Sequence, residues 1–286
     1  MTDFYLHDLN PVLLHLWGPL SIRWYGLAYL GGFIATYFLM RRFSRTGRCS
    51  IPARDLENFI VMMALFGVFL GGRLGYVLVY GWRTLLHDPL YIFRLWEGGM
   101  ASHGGLVGVI LFCLWYAQRH QIPFLNLTDC LSMAAPIGLF FGRLANFING
   151  ELWGRPSTVP WAVIFPQEAG LTAEQVRTQY DLGWLIGEGY LTPRHPSQLY
   201  EAAVEGLLLL AILLTANRLP WFRRDGRISA LFLVAYGIGR VAVECFREPD
   251  SALVAGAITK GQFLSLVMVV GGLLLFYRSS RQGRKA

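Results

Sequence analysis

The chain has 286 residues, 54% of them hydrophobic and 15% charged, with a formal net charge of +7. About a quarter of a soluble domain is charged, so these figures exclude a disordered chain and argue against an ordinary soluble enzyme. The mean hydropathy of +0.42 points to a polytopic membrane protein. Apolar stretches long enough to cross a bilayer, at about 20 residues each, run roughly over 20–40, 57–80, 98–118, 127–149, 198–217, 228–246 and 261–278. The predicted fold is an all-α integral membrane protein. It is a seven-transmembrane-helix bundle, a single domain over residues 1–286.

The second stretch is continuous from Phe59 to Tyr80 apart from Arg73, and the fourth contains Pro136. A proline is tolerated within a membrane helix. Between the fourth and fifth stretches lies residues 150–197, with Pro156, Pro160, Pro166, Pro193, Pro196, Trp153, Trp161 and Trp184. A loop of this length is functional or disordered, and its aromatic residues favour an ordered cap at the membrane interface.

Arginine supplies nearly all the positive charge, 23 residues against Lys260 and Lys285. In a soluble protein such charge would indicate nucleic acid. Here loop cations that fix topology explain it, and no nucleic-acid partner is expected. The loops at 41–54 and 218–227, the tail and Arg119 carry fourteen cations in short segments. The opposite side carries eight over longer ones. The positive-inside rule then places the N-terminus outside and the C-terminus in the cytoplasm. Cys49, Cys113, Cys130 and Cys245 show no metal or disulfide spacing and read as packing residues. No cleavable signal peptide is visible, so the first apolar span is expected to stay in the protein.

This orientation brings the intramembrane polar residues to one depth. Tyr25, Arg73, His103, Arg143, Asn146, Glu201, Glu205, Arg240 and Glu244 all fall in the outer half of their spans. His103 lies roughly 7 Å in, at 1.5 Å per residue. Charged residues at membrane depth usually face a bundle interior or a wet cavity; snorkelling to the headgroups is the blander reading for any one of them. Local spacing favours an interior site. Arg240 and Glu244 are i,i+4, Tyr236 lies four residues before Arg240, and Glu201 and Glu205 share a face. Two arginines suit a phosphate, because a guanidinium presents a fork of donors. At this depth the phosphate belongs to a phospholipid headgroup. His103 is a candidate general base, since histidine titrates near neutrality. Glycine steps at Gly67, Gly71 and Gly75, at Gly104 and Gly108, and at Gly138 and Gly142 mark close helix approaches.

HExxH, GxSxG and P-loop patterns are absent. A lipid or anion transporter would also gather arginines inside a bundle, but its polar path would cross both leaflets. An intramembrane protease would need a nucleophile or metal constellation.

The run Gly142-Arg143-Leu144-Ala145-Asn146-Phe147-Ile148-Asn149-Gly150-Glu151-Leu152-Trp153-Gly154 resembles the signature of the bacterial prolipoprotein diacylglyceryl transferases. Trp24 to Leu27, Gly71 to Tyr76, His103 to Leu106, Arg194 to Glu201, Tyr236 to Arg240 and Glu244 to Arg247 match that family in order along the chain. The resemblance implies an enzyme of the bacterial plasma membrane. It would move the sn-1,2-diacylglyceryl group of phosphatidylglycerol to the thiol of a lipobox cysteine in a prolipoprotein signal peptide. Glycerol 1-phosphate would be released, and no cofactor or metal is required. By the same resemblance Arg143 and Arg240 are essential, and Tyr25, His103, Asn146, Glu151, Gly154 and Glu244 take part. The expected catalytic set is His103, Arg143 and Arg240. The expected substrate-binding set is Tyr25, Arg73, Asn146, Glu151, Gly154, Glu201, Tyr236 and Glu244. The cap at 150–197 is the expected grip on the signal peptide.

Overall fold

A computed structural model describes residues 4–17, 20–94, 98–248 and 258–282. Arg284 and Lys285 of the basic tail lie outside the described residues. The chain is mostly helical, 69%. Its helices are α1 (Trp24–Arg45), α2 (Leu56–Met62), α3 (Gly71–Val79), α4 (Trp82–His87), α5 (Ser102–Arg119) and α6 (Phe124–Asn149). After the long loop come α7 (Ala173–Thr178), α8 (Leu182–Gly187), α9 (Ser197–Glu201), α10 (Leu209–Arg218), α11 (Arg227–Glu244) and α12 (Lys260–Gln282). The π-helical segments Met63–Leu70 and Ala202–Leu208 join α2 to α3 and α9 to α10 into continuous rods.

Four helices are long and apolar enough to cross a membrane among the described residues: Leu56–Val79, Phe124–Asn149, Ser197–Arg218 and Lys260–Arg281. Helix α6 runs through Pro136 without ending. Residues 20–23, counted from hydropathy within the first span, instead form a strand. Hydropathy does not separate a short apolar strand from a helix end. Here β3 (Leu20–Arg23) pairs antiparallel with β2 (Val12–Trp17), and helix begins only at Trp24.

The chain divides into two compact units, one of residues 37–131 and one of residues 1–36 with 132–286. In the first unit the glycine steps do what their spacing predicts. A Cβ on Gly75 would lie 2.5 Å from the Gly104 Cα, and one on Gly71 would lie 2.8 Å from the Gly108 Cα. The helices cross at backbone contact because no side chain intervenes. The Gly138–Gly142 step differs: nothing stands within 4 Å of a Cβ built on either residue.

In the second unit, α11 lies along α12, with Gly237 against Ser265 and Val269 and Gly272 against Ala230, Leu233 and Val234. Residues 150–197 carry more structure than their sequence advertised. Strand β4 (Val163–Ile164) sits between β1 (Tyr5–Leu6), parallel, and β5 (Pro193–Arg194), antiparallel. Helix α7 opens with a capping box of Thr172 and Gln175, and Asp181 caps α8. Ile164, Val176, Leu185 and Leu191 form a small core, with Phe4 and Leu6 of the N-terminal segment packed on it.

Candidate active site

The centre of the second unit is a cluster of arginines and carboxylates. Glu201, the last residue of α9, is fully buried, and Glu205 follows in the π-helical segment. Their i,i+4 spacing presents both carboxylates to the same neighbours. Arg143 of α6 places its Nε 3.0 Å from Glu201 Oε2 and its Nη2 3.5 Å from Glu205 Oε2. Arg240 of α11 donates through Nη1 to Glu201 and, at 3.3 Å, to Glu205. Its Nη2 meets Glu244 Oε2 at 2.7 Å. Arg247, 5% exposed, donates to Glu201 Oε1 at 2.9 Å. Thr259 donates its hydroxyl to Glu244 Oε1 at 2.8 Å.

Three guanidinium groups thus face three carboxylates. An isolated buried charge costs several kcal/mol, and only close, hydrogen-bonded pairing offsets it. Arg143 meets the glutamates at ion-pair distance through Nε and Nη2, without hydrogen-bond geometry to the buried Glu201 and Glu205 Oε2 atoms. The Arg143 side chain is 18% exposed.

The loop after α6 is built onto this cluster. Gly150, with φ +64°, turns the chain, and Leu152 holds φ +58°. Asn146 donates to Glu151 Oε1 at 2.8 Å and Asn149 donates at 3.3 Å. Gln198 and Ser197 bond the Glu151 and Leu152 carbonyls. Gly154 then donates its N–H to the His195 carbonyl at 2.9 Å, and Arg155 donates to the Phe246 carbonyl at 2.9 Å. A Cβ on Gly154 would stand 2.5 Å from the Phe246 oxygen and 2.6 Å from the His195 oxygen. Arg194 clamps the same place, bonded to the Gly154 carbonyl, Glu168 and Glu248. Those carboxylates raise the Arg194 pKa from its ordinary value, against the opposing effect of burial.

Of the residues expected from the sequence, Arg143, Asn146, Glu151, Glu201, Arg240 and Glu244 are thus joined by α6, α9 and α11, with Gly154 closing the loop. Tyr236 stacks on Phe232 within electrostatic reach of Glu205, Arg240 and Arg143. Tyr25 packs its ring 5.3 Å from that of Tyr29. His103 and Arg73 belong to the other unit. His103, exposed in the first turn of α5, lines an apolar cavity of about 920 Å³ with Phe66, Leu70, Leu74, Val107 and Trp115. Arg73 is 2% exposed, and among the described residues its guanidinium donates to the backbone carbonyls of Tyr91, Ile92, Arg94, Gly98 and Gly99.

Arg247, a third cation on Glu201, and Glu205, the second shared carboxylate, were outside the expected catalytic and substrate-binding sets. Glu205 was visible on the Glu201 face. Arg247 lay in the family-matching stretch Glu244 to Arg247 but was given no role there; it follows the end of α11.

These elements define an apolar, mostly helical membrane protein with a buried cluster of arginines and carboxylates. The model of the family described as prolipoprotein diacylglyceryl transferase matches residues 11–278. The chain belongs to that family. It is similar to proteins named phosphatidylglycerol–prolipoprotein diacylglyceryl transferase from several bacteria. The one from Idiomarina loihiensis is 45% identical over 96% of this chain and 94% of its own length. The one from Bordetella avium is 47% identical over 96% of this chain and 98% of its own. The one from Photorhabdus laumondii is 42% identical over 100% and 98%.

Proposed function

We propose that this chain transfers the sn-1,2-diacylglyceryl group of phosphatidylglycerol to the lipobox cysteine thiol of prolipoproteins, the first step of lipoprotein maturation. It works in the bacterial inner membrane, with seven spans, a periplasmic N-terminus and a cytoplasmic C-terminus. The observation that carries this reading is the charge-balanced cluster of Arg143, Arg240 and Arg247 on Glu201, Glu205 and Glu244, with the Arg143 side chain partly exposed.

The chemistry follows from that balance. A cysteine thiol, with an ordinary pKa near 8.5, is mostly protonated at neutral pH. His103 takes the thiol proton. The sulfur attacks C3 of the diacylated glycerol, a carbon–sulfur bond forms, and the carbon–oxygen bond to phosphate breaks. The electron pair leaves with glycerol 1-phosphate, whose charge grows from one to two. Arg143 and Arg240 stabilise that growing charge in a dry site, an effect larger in the transition state than in the bound lipid. Glu201, Glu205 and Glu244 hold the two forks in place. They also keep the empty site neutral, so the dianionic product meets carboxylates as well as arginines and is not trapped.

Asn146 and Glu151 orient the headgroup, with Tyr25 and Tyr236 at its edge. The cap at 150–197 grips the signal peptide beside its cysteine. The test is glycerol phosphate release from phosphatidylglycerol by the purified protein, with a lipobox peptide carrying Cys or Ser. Release with Cys alone supports the transferase. Release with both peptides indicates lipid cleavage without a thiol acceptor and overturns it.

A further inference from the structure

Arg73, in the unit of residues 37–131, is bonded through its whole guanidinium group. Its Nε donates to the Ile92 carbonyl at 3.0 Å. Its Nη1 donates to the Gly98 carbonyl and, at 3.1 Å, to that of Gly99. Its Nη2 donates to the Tyr91 carbonyl and, at 3.1 Å, to that of Arg94. A guanidinium has five N–H groups, and all five are engaged. The Tyr91 ring covers it, with the guanidinium carbon 4.8 Å from the ring centre.

The five carbonyls belong to one segment, and that segment leads into α5. Gly98 and Gly99 hold φ of +78° and +83°, a conformation that L side chains resist. A Cβ on Gly99 would lie 2.4 Å from the Tyr76 ring and 2.9 Å from Arg73 Nη1. The neighbouring residue Gly72 accepts the Ala101 N–H at 2.9 Å. One turn of α3 therefore fixes the backbone of residues 98–101, and His103 follows two residues later. We propose that Arg73 is a positioning residue for His103: it sets the start of α5 from which the imidazole projects into the apolar cavity, and it does not touch the lipid phosphate. The proposal rests on the reading of His103 as the base.

Steady-state turnover of phosphatidylglycerol and a lipobox peptide tests this in the full-length protein. Arg73→Ala is expected to lower kcat on the order of 10²-fold, the effect of a 1 Å misplacement, with KM for phosphatidylglycerol unchanged. Arg73→Lys is expected to fail as a rescue, since an ammonium offers three donors from a point. The Arg73→Ala/His103→Ala pair is expected to be no slower than His103→Ala alone, because a misplaced base and a missing base are one loss. A raised KM at unchanged kcat overturns the proposal in favour of a phosphate ligand, and additive losses overturn it in favour of an independent role. Full turnover in His103→Ala overturns the base reading itself, and the positioning role falls with it.

If Arg73→Ala does not fold, Arg73→Lys is read by the rate at which diethyl pyrocarbonate modifies His103. A changed rate supports the proposal and a wild-type rate overturns it.

Discussion

Gly154 and Arg247 face each other across an isolated antiparallel bridge. The relationship joins the end of the family signature to the deepest cation of the cluster. With no side chain at 154, the chain after α6 comes within hydrogen-bond distance of the His195 and Phe246 carbonyls. The chain after α11 is thereby held, and the Arg247 guanidinium reaches Glu201.

Replacement of Gly154 by alanine tests that bridge. The added methyl would meet two backbone oxygens within 2.6 Å, and overpacking of this kind typically costs about 1–3 kcal/mol. The expected result is a lowered melting temperature and at least a tenfold loss of turnover. Wild-type turnover would show that the loop is free to move aside.

Glu201→Gln keeps the shape of the side chain and removes its charge. Three arginines share that buried carboxylate, so the change leaves cations uncompensated. Breaking a buried pair from one side typically costs about 3–5 kcal/mol. Thermal unfolding in detergent is expected to show the loss, together with tighter retention of glycerol phosphate in a site now more positive. Unchanged stability would mean that water already screens the cluster.

The helix crossing in the first unit predicts a contrast between glycines. Gly104→Ala sets a methyl 2.5 Å from the Gly71 carbonyl oxygen and 2.7 Å from the Gly75 Cα, and is expected to destabilise by about 1–3 kcal/mol. Gly187→Ala in α8 meets nothing within 4 Å and is expected to be neutral or stabilising by about 0.4–1 kcal/mol. Equal melting temperatures would contradict the crossing.

His7 makes the sheet of β1, β4 and β5 sensitive to acid. The side chain is fully buried against Phe147 and Phe165, and burial lowers its pKa from the ordinary value, while the Asp8 charge acts the other way. The folded value lies below the unfolded one, so the stabilisation is complete above about pH 6.5. It is lost as pH falls below that, because the unfolded chain binds the proton first. The protection of amides 163–194 against hydrogen exchange, corrected for the intrinsic slowing of exchange in acid, is expected to fall between pH 7 and 5, and His7→Phe is expected to flatten the response. A flat profile in the wild type would rule this out.

Much of the site was legible because membrane chemistry leaves few ways to hide a charge. Arg143, Glu201, Arg240 and Glu244 stood out in apolar runs, and the i,i+4 spacing of Arg240 and Glu244 already paired those two. Three features were not legible. Arg73 reads the same from sequence whether it meets a phosphate or the carbonyls of residues 91–99, and only the fold decides. Arg247 is brought in by the Gly154 bridge, a contact between residues far apart in sequence. The sheet of β1, β4 and β5 is made of two-residue strands, too short for alternation to register, and one of them comes from the N-terminus. At residues 20–23 hydropathy gave apolar length without distinguishing a strand paired to β2 from the first turn of a helix.

The most direct test of the central claim is turnover of Arg143→Lys and Arg240→Lys with phosphatidylglycerol and a lipobox cysteine peptide. A lysine keeps the charge but loses the fork that binds carboxylates and phosphate together. A role for the fork predicts that kcat falls by roughly 10²–10³, the effect of removing one transition-state donor, while KM changes little. Full turnover in both variants would contradict it, because charge alone would then suffice and the geometry set by Glu201, Glu205 and Glu244 would be incidental.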